Sequence, residues 1–147
     1  RVVHINLIGT FLCDKAAAAI MQKNSPGEDG ERGLIIHTSS VAAFEGQIGQ
    51  VAYAATKAAV VGMTLPIARE LARFGIRCVA LAPGIFQTAM LEQIPPEIQA
   101  SLGKQVPFPQ RLGKASEFAQ LVQNVFELSM LNGETIRLDG AIRMAPQ

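Results

Sequence analysis

The chain's single tyrosine, Tyr53, stands four positions before Lys57 and thirteen after Ser40, in the stretch SSVAAFEGQIGQVAYAATK. A phenol near an ammonium and a serine hydroxyl can pass a proton to or from a carbinol oxygen. The cation favours the phenolate, and the second hydroxyl can hold the same oxygen. A free phenol titrates near pH 10, so action close to neutrality needs that neighbouring cation. The chemistry these three residues propose is carbonyl/alcohol redox interconversion, in which a hydride also moves.

The elements that must position them are legible. GQVAYAATKAAVVGMTLPIARELARF has helical spacing, which predicts a helix from about 50 to 73. Side chains at i and i+4 lie about 5–6 Å apart on one face, so Tyr53 and Lys57 are neighbours. GLIIHTSS reads as a buried parallel strand over 34–38 with polar groups at its carboxyl end, which is where open α/β sheets bind ligands. Helical spacing also covers 2–22; 23–33 reads as a surface loop, 76–82 as a strand and 115–130 as a helix capped by Ser116, and TIRLDG reads as a last strand before a turn at Asp139-Gly140. Pro66 should bend the long helix locally, since it removes a backbone donor. Strands alternating with helices predict a parallel, doubly wound α/β sheet. Segment 85–110 holds Ile85, Met90, Leu91, Ile94, Ile98 and Val106 among four prolines, more apolar surface than a connector needs. It reads as a lid over an apolar substrate body, or as packing onto the sheet.

The order Asn6, Ser40, Tyr53-x-x-x-Lys57, Pro83-Gly84 resembles the short-chain dehydrogenase/reductase family over essentially the whole chain. The resemblance implies Tyr53 as general acid/base, Ser40 as donor to the substrate oxygen, and Lys57 as the group that favours the phenolate and holds the cofactor ribose. Asn6 would keep a water in the proton relay beneath Lys57; alone it reads as a helix-interior amide. Tyr53, Lys57, Pro83, Gly84, Phe86 and Thr88 would hold NAD, with NADP not distinguished. Ser40, Gln47 and Tyr53 would face the substrate, although Gln47 alone reads as a solvated loop amide and Pro83-Gly84 as a turn. The phrases SVAAFEGQIGQ, GMTLPIARELA, QVPFPQRLG and LNGETIRLDGAIRM are most similar to members acting on 3-hydroxyacyl-CoA and hydroxysteroids. A 3-oxoacyl-carrier-protein reductase shares all four catalytic positions and is the alternative. By resemblance the whole protein is a homotetramer of the mitochondrial matrix or the bacterial cytoplasm, and a non-catalytic module that only associates with complete subunits is the other reading.

At 147 residues, 49% hydrophobic and 17% charged, the chain can build one globular core. A net charge of +1 decides nothing, but the lack of a basic cluster interleaved with aromatics, with no tryptophan and one tyrosine, argues against nucleic-acid binding. Cys13 and Cys78 form neither a disulfide framework nor a metal-ligand pattern, which suggests a reducing compartment and no metal. No secretory signal and no contiguous apolar run of membrane-span length is evident.

One family feature is not found. A dinucleotide fold opens with a strand and a glycine-rich turn whose amides hold the pyrophosphate, and an acidic residue follows for the ribose. Gly46 and Gly49 in EGQIGQ do not make that turn, and Asp139 comes too late to be that acid. The expectation is the carboxyl-terminal, catalytic and substrate-binding part of one domain, truncated to its last three strands, with 34–38 at an exposed edge.

Overall fold

The structure is a computed structural model that describes residues 1–89 and 91–146, without the side chain of Glu92. Met90, one of the apolar residues of the expected lid, lies outside the described residues. The chain begins with a π-helical turn, His4–Gly9, running into α1, Thr10–Met21. β1 spans Gly33–Thr38, followed by a 3-10 turn Val41–Ala43, α2 at Val51–Leu71, and β2 at Ile76–Pro83. α3 is Pro96–Lys104, α4 Ala115–Glu127 and β3 Thr135–Leu138. The strands pair in the order β1-β2-β3, all parallel, with Thr38 opposite Leu81 and Pro83 opposite Leu138. This is the expected α/β layering of a Rossmann-type sheet. β1 has one neighbour among the described residues, so it is an edge strand here.

β2 explains the layering. Its residues from Ile76 to Ala82 are all buried, because helices cover both of its faces. Side chains alternate across a strand, so Ile76 and Cys78 join Ile35 and Ala68 beneath α1 and α2, while Val79 and Leu81 join Val125 beneath α4. Arg77 points into the α4 layer from the start of the strand. Its guanidinium donates to the carbonyls of Val125, Phe126, Leu128 and Leu131 and pairs with Glu31, closing the carboxyl end of α4. A buried arginine is tolerated because every donor has a partner.

A second buried polar cluster joins α1, β1 and α2. His37 is bonded to Asp14 and Thr64, both at 3.0 Å, and all three are buried. The sequence offered no sign of it, because the partners lie 23 and 27 positions away. Cys78 sits beside this cluster, and burial, then the charge of Asp14, push its thiol up to about 12. It therefore stays a protonated core side chain. Cys13 is free and exposed.

Three local expectations are corrected. Helix 2–22 is expected to be regular α, yet residues 4–9 are π-helical. Ser116 is expected to cap α4, yet Lys114 occupies the cap position, and its backbone N–H donates to Glu117 at 2.8 Å. Membrane-length apolarity is not expected, yet the 24-residue helical run 51–74 contains an 18-residue stretch of mean hydropathy 1.4, long and apolar enough by composition to cross a membrane. Counting contiguous apolar residues missed it, because threonine, glycine and Lys57 interrupt a run that is apolar on average. Thr56, Val60, Thr64 and Ala68, one every four residues, form its buried stripe, and the helix packs on β2.

Glu117 does more than cap. Both its oxygens pair with Arg111, at 2.7 and 2.9 Å, and this pairing first, the Lys114 amide second, lowers its carboxyl to about 2. An unfolded glutamate titrates near 4.3. The folded value is the lower one, so the stabilisation is complete above the unfolded value and is lost as pH falls toward about 2. In thermal melts taken between pH 6 and pH 2, Glu117→Gln should melt below the unsubstituted chain at pH 6, and the gap should close toward pH 2. A gap independent of pH would exclude the ion pair as its source.

Segment 85–110 proves to be structured at both ends of its range. Phe86 makes a parallel bridge to Gly113, and Val106 is buried, whereas Phe108 is 83% exposed. Packing and an open apolar surface therefore coexist, as both readings of the segment allowed.

Candidate active site

The parallel register pairs the last residue of β1, Thr38, with Leu81, two residues before β2 ends, so the chain leaves both strands along one edge of the sheet. α2 begins at that edge, placing Tyr53 and Lys57 in its first two turns. The Lys57 ammonium donates to the Thr38 carbonyl at 2.8 Å and lies 5.7 Å from the Tyr53 ring centre. Burial lowers the Lys57 pKa below the usual lysine value. Tyr53 is 39% exposed, and its hydroxyl has no hydrogen-bond partner among the described residues.

The two adjacent serines have different jobs. Ser39 is buried and donates its hydroxyl to the Lys57 carbonyl at 2.9 Å, tying the strand end to the helix. Ser40 has extended backbone and caps the 3-10 turn, its Oγ accepting from the Ala42 N–H at 3.1 Å. That bond uses a lone pair and leaves the Ser40 proton free to donate.

Asn6 lies within the π-helical turn. Its side-chain amide donates to Thr56 Oγ1 at 3.3 Å, and Thr56 donates to the Tyr53 carbonyl at 2.8 Å. The Asn6 carbonyl accepts from the Thr10 hydroxyl at 2.7 Å. Asn6 thus reaches across 50 positions to the catalytic helix, and π-turns of this kind occur often at functional sites.

Pro83, Phe86 and Thr88 meet in a cleft of about 210 Å3 completed by Ala115 and Phe118. The Phe86 and Phe118 rings stand edge to face, 6.3 Å apart. Gly113 fixes the Phe86 ring, since a Cβ there would come within 2.7 Å of it. Gly84 is a glycine for a neighbouring reason: a Cβ would meet Asp139 at 2.9 Å. The walls are apolar, and the Thr88 hydroxyl is the one polar side-chain group among the lining residues. Gln47 donates its side-chain amide to the Ala145 carbonyl at 3.1 Å, which leaves the second proton of that amide for another acceptor. Glu45 and Arg137, which sequence reading did not single out, pair beside it at 2.6 and 3.0 Å.

The carboxyl edge of the sheet carries Ser40, Tyr53 and Lys57, and the short chain dehydrogenase family profile matches residues 1–99. The chain belongs to that family of oxidoreductases. It is 57% identical over 146 residues to the 3-hydroxyacyl-CoA dehydrogenase type-2 of Drosophila melanogaster, an alignment covering 99% of this chain and 57% of that protein. Among solved structures it is similar to the 3-hydroxyacyl-CoA dehydrogenase type-2 of Mycobacterium avium, with a TM-score of 0.96 at 42% identity, covering 99% of this chain and 57% of that one. A 3-oxoacyl-[acyl-carrier protein] reductase with bound NAD from Brucella melitensis superposes with a TM-score of 0.79 at 35% identity, covering 97% of this chain and 51% of that one. The chain thus spans a little over half the length of the relatives it matches.

Proposed function

We propose that these residues form the proton-transfer and substrate half of an NAD(H)-dependent 3-hydroxyacyl-CoA dehydrogenase site. The observation that carries the reading is the free proton of Ser40 on the same sheet edge as Tyr53 and Lys57. NAD(H) supplies or takes up the hydride when bound, and Pro83, Phe86 and Thr88 would hold its nicotinamide end, with Lys57 toward the ribose. In reduction, Ser40 holds the ketone oxygen by a hydrogen bond while Tyr53 gives that oxygen its proton; in oxidation, Tyr53 takes the proton back. The Lys57 ammonium favours the phenolate left behind. Asn6 acts at one remove, bracing the turn that carries Tyr53 through Thr56.

Acyl-CoA is preferred to acyl-carrier protein as substrate because of the higher identity to the dehydrogenases named for it. NADP use and hydroxysteroid oxidation remain compatible with the same four residues. Ile5, Ile8, Phe11 and Leu12 are exposed on the first helix, and an oligomer of complete subunits would cover them. The test is the native protein containing this chain, assayed with NADH against acetoacetyl-CoA and against an acetoacetyl-carrier protein. Faster turnover of the CoA ester supports the reading, and activity with the carrier protein alone overturns it.

A further inference from the structure

The loop between Ser40 and Tyr53 is anchored at its start, where Val41 and Ala42 are buried and the 3-10 turn packs on α2 and β2. Its inner hydrogen bonds are short-range turns, such as Phe44 to Val41 and Gln50 to Gln47. Among the described residues, every hydrogen bond that leaves residues 41–50 for a distant part of the chain goes to Arg137 or to 144–146. Arg137, on β3, grips both oxygens of Glu45 while its Nε donates to Asp139 at 2.7 Å. The Met144 N–H donates to Glu45 at 3.3 Å, Gln47 donates to the Ala145 carbonyl, and the Ile48 N–H donates to the Pro146 carbonyl at 3.0 Å. The Arg137 guanidinium also lies over the Phe44 ring, 5.2 Å from its centre. Residues 144–146 therefore meet three points of the loop, and Arg137 locks the arrangement to the sheet, with Arg143 also 3.6 Å from Glu45.

The geometry points to a positioning role for Arg137, Glu45 and the tail 144–146: they hold the 41–50 loop so that Ser40 and Gln47 face the substrate in a fixed relation to Tyr53. This rests on the proposed roles of Ser40 and Tyr53. A loop free to shift would misplace the donor to the substrate oxygen, and small misplacements of that kind carry large rate costs. The nicotinamide cleft at Pro83 and Phe86 shares no residue with the strap, so cofactor affinity should not follow it.

The test uses the native protein containing this chain, with Glu45→Gln, Glu45→Asp and Arg137→Lys. Glu45→Gln should lower kcat about 10-fold with the KM for NADH unchanged within about twofold, Glu45→Asp should recover part of the loss, and Arg137→Lys should lower kcat similarly. In hydrogen exchange, Glu45→Gln should speed the Ile48 amide about 10-fold and leave the β2 amides unchanged. Unchanged Ile48 exchange, or protection lost throughout β2, overturns the strap. Should the unsubstituted protein lack dehydrogenase activity, the proposed function fails, while the exchange measurement still decides whether the strap holds the loop.

Discussion

Tyr53→Phe, made in the native protein containing this chain, should lower kcat with acetoacetyl-CoA by about 10³-fold. The substitution removes one oxygen and keeps the ring, so Lys57 retains its bond to Thr38 and the fold of α2 is undisturbed. A proton donor acts only as charge develops on the substrate oxygen, so kcat and kcat/KM should fall together while the KM for NADH stays put. Ser40→Ala should cost less, about 10²-fold, because it removes a hydrogen bond rather than the proton itself. The double variant should be little worse than Tyr53→Phe alone, since the two residues serve one oxygen. Steady-state kinetics followed by NADH absorbance measure all three. A Tyr53→Phe enzyme at full rate would remove the phenol from the mechanism and with it the proposed function.

The second large effect concerns binding. The 147-residue chain titrated with NADH should show no saturation up to about 1 mM. On the proposed reading the cleft at Pro83, Phe86 and Thr88 takes the nicotinamide ring and Lys57 lies toward its ribose, which leaves the phosphates and the adenine half without assigned contacts. For a ligand as large as NADH contacts are worth about 0.3 kcal/mol per non-hydrogen atom, so the roughly nine atoms of its nicotinamide contribute about 3 kcal/mol. A dissociation constant of 1 mM needs about 4 kcal/mol. The missing affinity comes from backbone amides at a helix start that receive the pyrophosphate, and these 147 residues contain no glycine-rich turn following a strand to present them. Nicotinamide fluorescence is the readout. Saturation in the micromolar range would mean that other residues of this chain hold the phosphates, and it would justify assaying the chain as it stands.

Sequence and structure divide the site along a physical line. The parallel α/β layering and the placing of Tyr53 beside Lys57 follow from local rules, the alternation of apolar strands with helices and the 3.6-residue period of α2, and both are legible without coordinates. The carboxyl-edge position of Ser40 is legible for the same reason, since a strand that ends in polar residues must leave the sheet there. Which serine keeps a free proton is not legible, because Ser39 and Ser40 are of one type and only the packing of β1 on α2 gives the first to the Lys57 carbonyl and the second to the Ala42 amide. The π-turn around Asn6 escaped for a similar reason: its apolar periodicity matches an α-helix, and the bond that uses it, to Thr56, depends on how two helices meet. Glu45 and Arg137 stand 92 positions apart, and nothing local to either marks the other. Spacing within an element is set by the backbone's own geometry and can be read along the chain. Pairing between elements is decided only when burial brings them together, since the free energy that selects each partner comes from desolvation and satisfied hydrogen bonds in the assembled core.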